Sequence, residues 1–401
     1  MSHLESSFVT EALRATRPLR GLLCLLAVAV ACRAVAAAPL EERIAELRGQ
    51  LKKNDAGQIV AVDLENSAAT AADVEQLAAL PELKSLILWG PKINDEAVAH
   101  LSGMKKVDTL TLRNTAVTDA GLTALESMPA LRSLNMHRSA QLTNAGMKHL
   151  AAMPKLTHLS LPYTKITDEG VAALAPLKKL RLLDLRGCTL TDESLAVIKN
   201  FTSLASLKFR SPTITDEGIA HLAEMTGLKG LHLEDAKLSD DGMKHLAGLT
   251  QLDDLNLLRT TITDAGLEPL KNMPRMRQLN LRGTWVTDEG LQYLAGMKEL
   301  FKLDLSETET QGTGLAHIAE LPKMRYLDLW ATRVDDAAMD HVAKMTELEF
   351  LNLDNTMVTD AGLAKLAGLK KLKTLSASQT SVTPGAVAKL KAAIPGAKIS
   401  R

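Results

Sequence analysis

The chain has 401 residues, and Lys plus Arg equals Asp plus Glu at 47 each. That balance argues against nucleic acid or a membrane surface as a partner, and any electrostatic preference must come from local patches. Hydrophobic residues make up 46% and aromatic ones only 3%, so a large core has to be built from Leu, Ala, Val, Ile and Met.

The N-terminus reads as an export signal. Arg14, Arg17 and Arg20 precede the apolar run Gly21 to Cys32, and small residues follow with an A-x-A-like exit at Ala34-Val35-Ala36. The run is too short to span a bilayer comfortably, so removal of residues 1–36 is expected ahead of a retained anchor. Lipidation at Cys32 is a third reading, with Ala29 standing where a Leu is usual. The expected location is therefore periplasmic, cell-envelope or extracellular, with membrane contact only if the segment is retained or lipidated. Cys24 and Cys32 fall in this segment, which leaves Cys188 and no internal disulfide, so stability must come from packing.

Residues 37–58 follow as a capping unit. In Pro39 to Asn54, Leu40, Ile44, Leu47 and Leu51 share one face of a predicted charged helix, suited to shielding an open core end.

From residue 59 to 383 the pattern L-x-x-L-x-L recurs. Copies start at Ile59, Leu83, Val107, Leu131, Leu156, Leu180, Leu204, Leu228, Leu252, Met276, Leu300, Met324, Leu348 and Leu372. The spacing is 24 residues, apart from one step of 25 after Leu131. In the copy from Leu156, Leu156, Leu159 and Leu161 point inward from a short strand and Ser160 outward. Thr164 fills a corner position that recurs as Thr115, Thr260, Thr284, Thr308, Thr332, Thr356 and Thr380, with Cys188 in the same slot. A buried hydroxyl there can satisfy turn backbone, so Cys188 reads as a small buried hydrophobe.

Ile166 turns inward, and Thr167-Asp168-Glu169-Gly170 precedes an apolar helical stripe at Val171, Leu174 and Leu177. Thr or Asp at that joint is an N-cap signature, and the carboxylate also meets the positive helix end. Gly170 is expected to permit close packing between coils, with Ala97, Ala338 and Ser194 replacing it elsewhere. One Asp per coil supplies neither a catalytic dyad nor a calcium cage. His100, His149, His221, His245, His317 and His341 fall one per helix, too far apart to share a metal ion.

These residues carry a resemblance. The consensus LxxLxLxxTxITDxGLxxLxxMxx, from Ile59 to Arg401, resembles the leucine-rich repeats of exported bacterial proteins and, more distantly, those of ribonuclease-inhibitor-like and F-box-type substrate receptors. The implied fold is an α/β solenoid, a curved horseshoe with a parallel sheet on the concave face and helices on the convex face. The implied function is partner binding, and no cofactor or metal is expected. Residues 384–401, lysine-rich and atypical, read as a C-terminal cap. No linker or second domain separates these units.

Function is expected on the concave face. Arg113, Arg132, Arg138, Arg181, Arg186, Lys208 and Arg210 outnumber Asp108 and Asp184 there, a basic stretch that suits an acidic protein segment or an anionic glycan. Aromatic interleaving is sparse, with Tyr163 beside His137 and His158, which disfavours single-stranded nucleic acid. Phe301, Tyr326, Trp330 and Phe350 occupy outward positions in three successive coils and read as a protein-binding hot spot. Beside them, Thr310 replaces the usual Ile or Val and Gln311-Gly312 replaces Thr-Asp, either as drift or as a specialised loop. A polar ladder runs through His232, Asn256, Asn280, Asp304, Asp328 and Asn352, with Arg282 near enough to ion-pair the two Asp.

The expected protein is thus a monomeric, non-enzymatic scaffold for a protein or peptide ligand. Its expected contacts are Phe301, Tyr326, Trp330, Phe350, Arg113, Arg138, Arg186 and Arg210. Two alternatives stand beside it. One is a substrate-receptor module of a larger complex, which lacks an adaptor domain before Ile59. The other is a metal-binding or enzymatic protein using the Asp/Asn ladder, which lacks a nucleophile–base constellation or metal-spaced cluster.

Overall fold

A computed structural model describes residues 40–401. The export-signal reading and the proposed cleavage site lie outside the described residues. Among the described residues, no helix is long and apolar enough to cross a membrane.

The strands of the described residues form one 16-stranded sheet in strict sequence order. β1 (Gln50–Lys53) pairs antiparallel with β2 (Ile59–Asp63), and every later pair is parallel, as in Leu255 against Leu231 and Leu279. Inward leucines stack coil on coil into one column. Leu156, Leu159, Leu161, Ile166, Val171, Leu174 and Leu177 are all buried, so one turn of chain wraps a slice of a continuous core. Truncating one such leucine costs about 2–5 kcal/mol, because neighbouring slices are fixed and the hole cannot close.

The N-terminal end differs from the expected single helix. Among the described residues the N-terminal helix runs over 40–46, and Arg48 then takes a left-handed conformation (φ 58) that turns the chain back. Leu51 is therefore on strand β1, whereas Leu40 and Ile44 are buried from the helix and Leu47 from the turn after it. At the other end, helix Pro384–Ala393 is followed by strand Lys398–Ser400, which continues the parallel sheet with Ile399 beside Leu375. The convex elements are short. Asp168–Ala173 is a six-residue α-helix, whereas Asp264–Asn272, Gly290–Leu294 and Thr313–His317 are 3-10 helices. Pro269, inside the first of these, has no N–H to give to an α-helical ladder.

The repeated Thr-Asp pair divides its labour. Thr191 and Thr215 are the N-caps, each hydroxyl accepting from the amide two residues on. The Asp reaches forward into the next coil. Asp168 accepts from the Thr191 N–H at 2.9 Å and from its hydroxyl at 2.6 Å, and Asp192 repeats this with Thr215 at 2.8 and 2.6 Å. Each carboxylate thus latches one coil to the next through two charge-assisted hydrogen bonds. The glycine follows from the latch. A Cβ at Gly218 would overlap the Asp192 carboxylate, and one at Gly242 would overlap that of Asp216. Where the preceding Asp is missing, at Ala71 and at Gly312, the glycine is missing too, as Ala97 and Ala338. Ser194 and Ala386 keep a side chain despite Asp168 and Asp360.

The irregular coil is consequently a matched repacking. A Cβ at Gly312 would collide with Ala338, so the two substitutions exchange volume between adjacent coils. Thr310 is fully buried, with its hydroxyl 2.9 Å from that of Thr308. The corner threonines behave as expected: Thr164 and Thr260 donate to the carbonyls of Leu161 and Leu257. Cys188 donates to Leu161 at 3.3 Å, and burial pushes its thiol pKa up. It is a buried packing group.

Candidate functional site

On the concave face the outward side chains form rows, because parallel pairing sets equivalent residues of successive coils side by side. The row at mid-strand includes Asn135, Ser160, Asp184, Lys208, His232, Asn256, Asn280, Asp304, Asp328 and Asn352. Most of its Asp and Asn oxygens are already engaged. Each accepts from the amide two residues on and holds the strand exit as an Asx turn: Asn135 from His137, Asn280 from Arg282, Asp304 from Ser306, Asp328 from Trp330. The polar ladder is first of all a row of turn-holders.

The strand-exit row lies two residues further along each chain turn. It begins at Trp89, which pairs in register with Arg113, and runs through His137, Arg186, Arg210 and Glu234 to Arg282 and Trp330. Arg113, Arg186, Arg210 and Trp330, named from different sequence patches, therefore stand on one line, and Arg138 lies one residue beyond it. Most of these arginines are not free. Arg113 pairs with Glu65 at 2.6 Å, Arg186 with Asp184 at 2.8 Å and Glu234 at 3.6 Å, and Arg210 with Asp235 at 2.7 Å. Arg138 instead lies 5.4 Å from the Tyr163 ring centre. Three cations of the basic stretch, Arg113, Arg186 and Arg210, are thus ion-paired, with Glu65, Glu234 and Asp235 among their partners, whereas Arg132, Arg138, Arg181 and Lys208 are not. His137 packs edge-on against Tyr163 at 5.5 Å. Burial, then the guanidinium groups of Arg138 and Arg113, hold its pKa below the ordinary histidine value.

The aromatic group separates into parts. Lys302, Tyr326 and Phe350 are in register, and the last two rings stack with centres 4.2 Å apart. Phe301 sits one residue before that row, against Arg277 at 5.4 Å. Trp330 sits at the strand exit under Arg282, 4.7 Å from the ring. All four are half-buried, so the expected single hot spot is a stacked pair with two outliers. Arg282 bonds Glu307 at 2.7 Å rather than the two aspartates, correcting the expected ion pair. Asp328 keeps a raised pKa, caused first by burial and then by Asp304 against the Trp330 N–H bond that lowers it.

Trp89 escaped notice because it is a lone aromatic, although the repeat register puts it on the row of Trp330. The strand-to-helix edge also carries the most exposed large apolar side chains, Trp285 at 60% and Met357 at 63%. Among the described residues no group of three or more His, Cys, Asp or Glu is placed to hold a metal ion. Chemically the face offers fixed guanidinium–carboxylate pairs, amide and hydroxyl groups and a few ring faces, spread over a surface rather than converging on one atom.

A family description, leucine-rich repeat region, matches residues 106–392. An internalin from Listeria monocytogenes is similar in structure, with TM-score 0.51 and 20% identity over 90% of this chain and 93% of that one. A leucine-rich-repeat protein from Leptospira interrogans gives TM-score 0.50 and 17% identity over 81% of this chain and 85% of that one. At such identities the likeness is one of fold. None of the curated proteins matches the sequence.

Proposed function

Since the chain belongs to the leucine-rich-repeat family, we propose that it is a non-enzymatic scaffold that binds a protein or peptide across its concave sheet. One observation carries this reading: the strand-exit row from Trp89 to Trp330 holds guanidinium and ring groups, with His137, Arg186, Arg282 and Trp330 on turns held by Asx bonds and with Arg113, Arg186, Arg210 and Arg282 already ion-paired. A surface prepared in this way loses little side-chain entropy on binding. Its length suits a macromolecule better than a small substrate.

The exported location belongs to the same proposal and rests on residues 1–36. Fractionation of cells expressing the full chain, with N-terminal sequencing of the product, tests it; a cytoplasmic, unprocessed chain would contradict it. A monomer is the proposed state. The substrate-receptor alternative uses the same face within a larger complex, and the metal alternative is favoured by no observation on the ladder.

The binding test compares the purified wild type with Arg113→Ala/Arg186→Ala and Tyr326→Ala/Trp330→Ala as baits. Loss of the same captured proteins from both double variants, with thermal stability retained, is the expected outcome. Equal capture by all three proteins would sink the reading.

A further inference from the structure

One ring on the concave face has no partner. Tyr163 carries His137 and Arg138, Phe301 carries Arg277, Trp330 carries Arg282, and Tyr326 and Phe350 stack on each other. Trp89 is half-buried, yet among the described residues no ring stacks on it and no cation lies over it. It lines a cleft of about 410 Å³ over the coils from Ile59 to Leu180. The cleft exists because short side chains replace long ones. Asn135 and Ser160 stand on the mid-strand row where later coils carry Lys208 and His232. Pro162 interrupts the strand-exit row between His137 and Arg186.

The cleft is polar, but its charges are already matched. Besides the His137 imidazole, its ionisable side chains form two pairs, Arg113–Glu65 at 2.6 Å and Arg186–Asp184 at 2.8 Å. Arg138, one residue beyond His137, lies against the Tyr163 ring and does not line the cleft. What is left unbonded is a set of amides and an imidazole. The side-chain amides of Asn66 and Asn114, the Nδ2 of Asn135 and the ring nitrogens of His137 have no hydrogen-bond partner among the described residues. A charged ligand meets both signs here at once and gains little. A peptide side chain finds no apolar pocket to fill, since Trp89 and Pro162 are the only apolar lining. A sugar ring meets both conditions. Its apolar C–H face suits the open indole, and its hydroxyls, each both donor and acceptor, suit amide and imidazole groups.

We propose that this cleft is a subsite for a short, uncharged oligosaccharide, with one sugar ring stacked on Trp89 and its hydroxyls held by Asn66, Asn114, Asn135 and His137. The volume lies toward the lower end of the range for small-ligand sites, about 300–1,000 Å³. Asn66, Trp89, Asn114 and Asn135 come from successive coils about 4.8 Å apart, so the contacts follow the saccharide along the row. This goes beyond the protein-binding reading and does not rest on it. Tyr326 and Trp330 lie outside the cleft, and the coils that carry them stay free for a protein.

The test uses the purified full chain with short cello-, malto-, manno- and N-acetylchito-oligosaccharides, followed by calorimetry and saturation-transfer NMR. At least one of them is expected to bind saturably, with the strongest transfer to the C–H protons of one sugar ring. Its affinity is expected to be the same in low and high salt, because no charge is exchanged. Trp89→Ala should weaken it about tenfold or more, while Trp285→Ala, on the strand-to-helix edge, leaves it unchanged. Ser160→Phe fills the cleft from its floor with the indole still in place, and should abolish binding even if Trp89→Ala fails to fold. Failure of every oligosaccharide to bind the wild type overturns the proposal, as does binding that survives Ser160→Phe in a folded chain. Binding of sulfated oligosaccharides or acidic peptides alone, weakening as salt rises, assigns the cleft to anions and also overturns it. None of these results touches protein capture through Tyr326 and Trp330, so the two readings fail separately.

Discussion

The strand-to-helix edge and the concave face are both lined by charged side chains once per coil, yet they behave in opposite ways. On the edge the same carboxylate meets a threonine, or Ser239 in its place, in coil after coil, and both of its oxygens are engaged. On the face the backbone geometry is just as constant, but the side chain varies along it, as from Trp89 to Arg113 to His137. Constant chemistry at constant geometry is architecture. Varied chemistry on a constant backbone is where recognition can be written.

Substitutions can break that comparison, and the largest effects belong to the edge. Gly242→Val drives two methyl groups into the Asp216 carboxylate and the Leu238 side chain. It should cost about 1–3 kcal/mol or more, read by chemical denaturation. Gly242→Ala should cost less, and its penalty should shrink in an Asp216→Ala background; strict additivity of the two changes would contradict the latch. Alone, Asp216→Ala strands the Ser239 amide and hydroxyl and should cost about 1.5–3 kcal/mol.

Acid sharpens the contrast. Asp336 is pushed up by burial, but bonds from the Thr359 hydroxyl and amide outweigh this and leave its pKa lowered. A depressed acid contributes stability above its unfolded value of about 3.9 and loses it as pH falls through the folded value. Asp328 is the reverse: its raised pKa means that the charged form is disfavoured in the fold at neutral pH. Asp336→Asn should therefore lower Tm at pH 7 and flatten the acid limb. Asp328→Asn should raise Tm at pH 7, and that gain should vanish as the pH falls into the carboxylate range. A latch variant that stabilised, or a face variant that destabilised, would remove the distinction.

The smallest stability effect is expected on the face. Arg113 and Glu65 form a pair in which each is more than a third exposed, so Arg113→Ala should change stability by less than about 1 kcal/mol while weakening partner capture. A Tm loss as large as that of Asp216→Ala would place Arg113 with the architecture.

How much of this was legible in the sequence depends on the distance between partners. The strand period, the inward leucines and the corner threonines repeat locally, and the fold followed from them. The function of the Asp in the Thr-Asp pair did not, because its partner is 23 residues away and becomes a neighbour only once the chain has coiled. A trace was present in the joint loss of Asp and Gly at Ala71/Ala97 and Gly312/Ala338. The arginine row could be read from the same period, but its neutralisation could not, since Arg210 meets Asp235 across the strand exit rather than along the chain. Phe301 was grouped with Tyr326 and Phe350 by proximity in sequence, although its register is one residue off. Leu51 was assigned to a helix by its spacing, and Arg48 turned the chain before reaching it.

The claim that partners bind the face and not the edge can be put to one measurement. A photo-crosslinking amino acid is placed at position 113, 326 or 285 and irradiated in cells expressing the protein. Position 285 is the stringent control, since Trp285 is among the most exposed apolar side chains and lies on the edge. The account predicts a shared crosslinked partner from 113 and 326 and none from 285. A partner captured from 285 and from neither face position would contradict it.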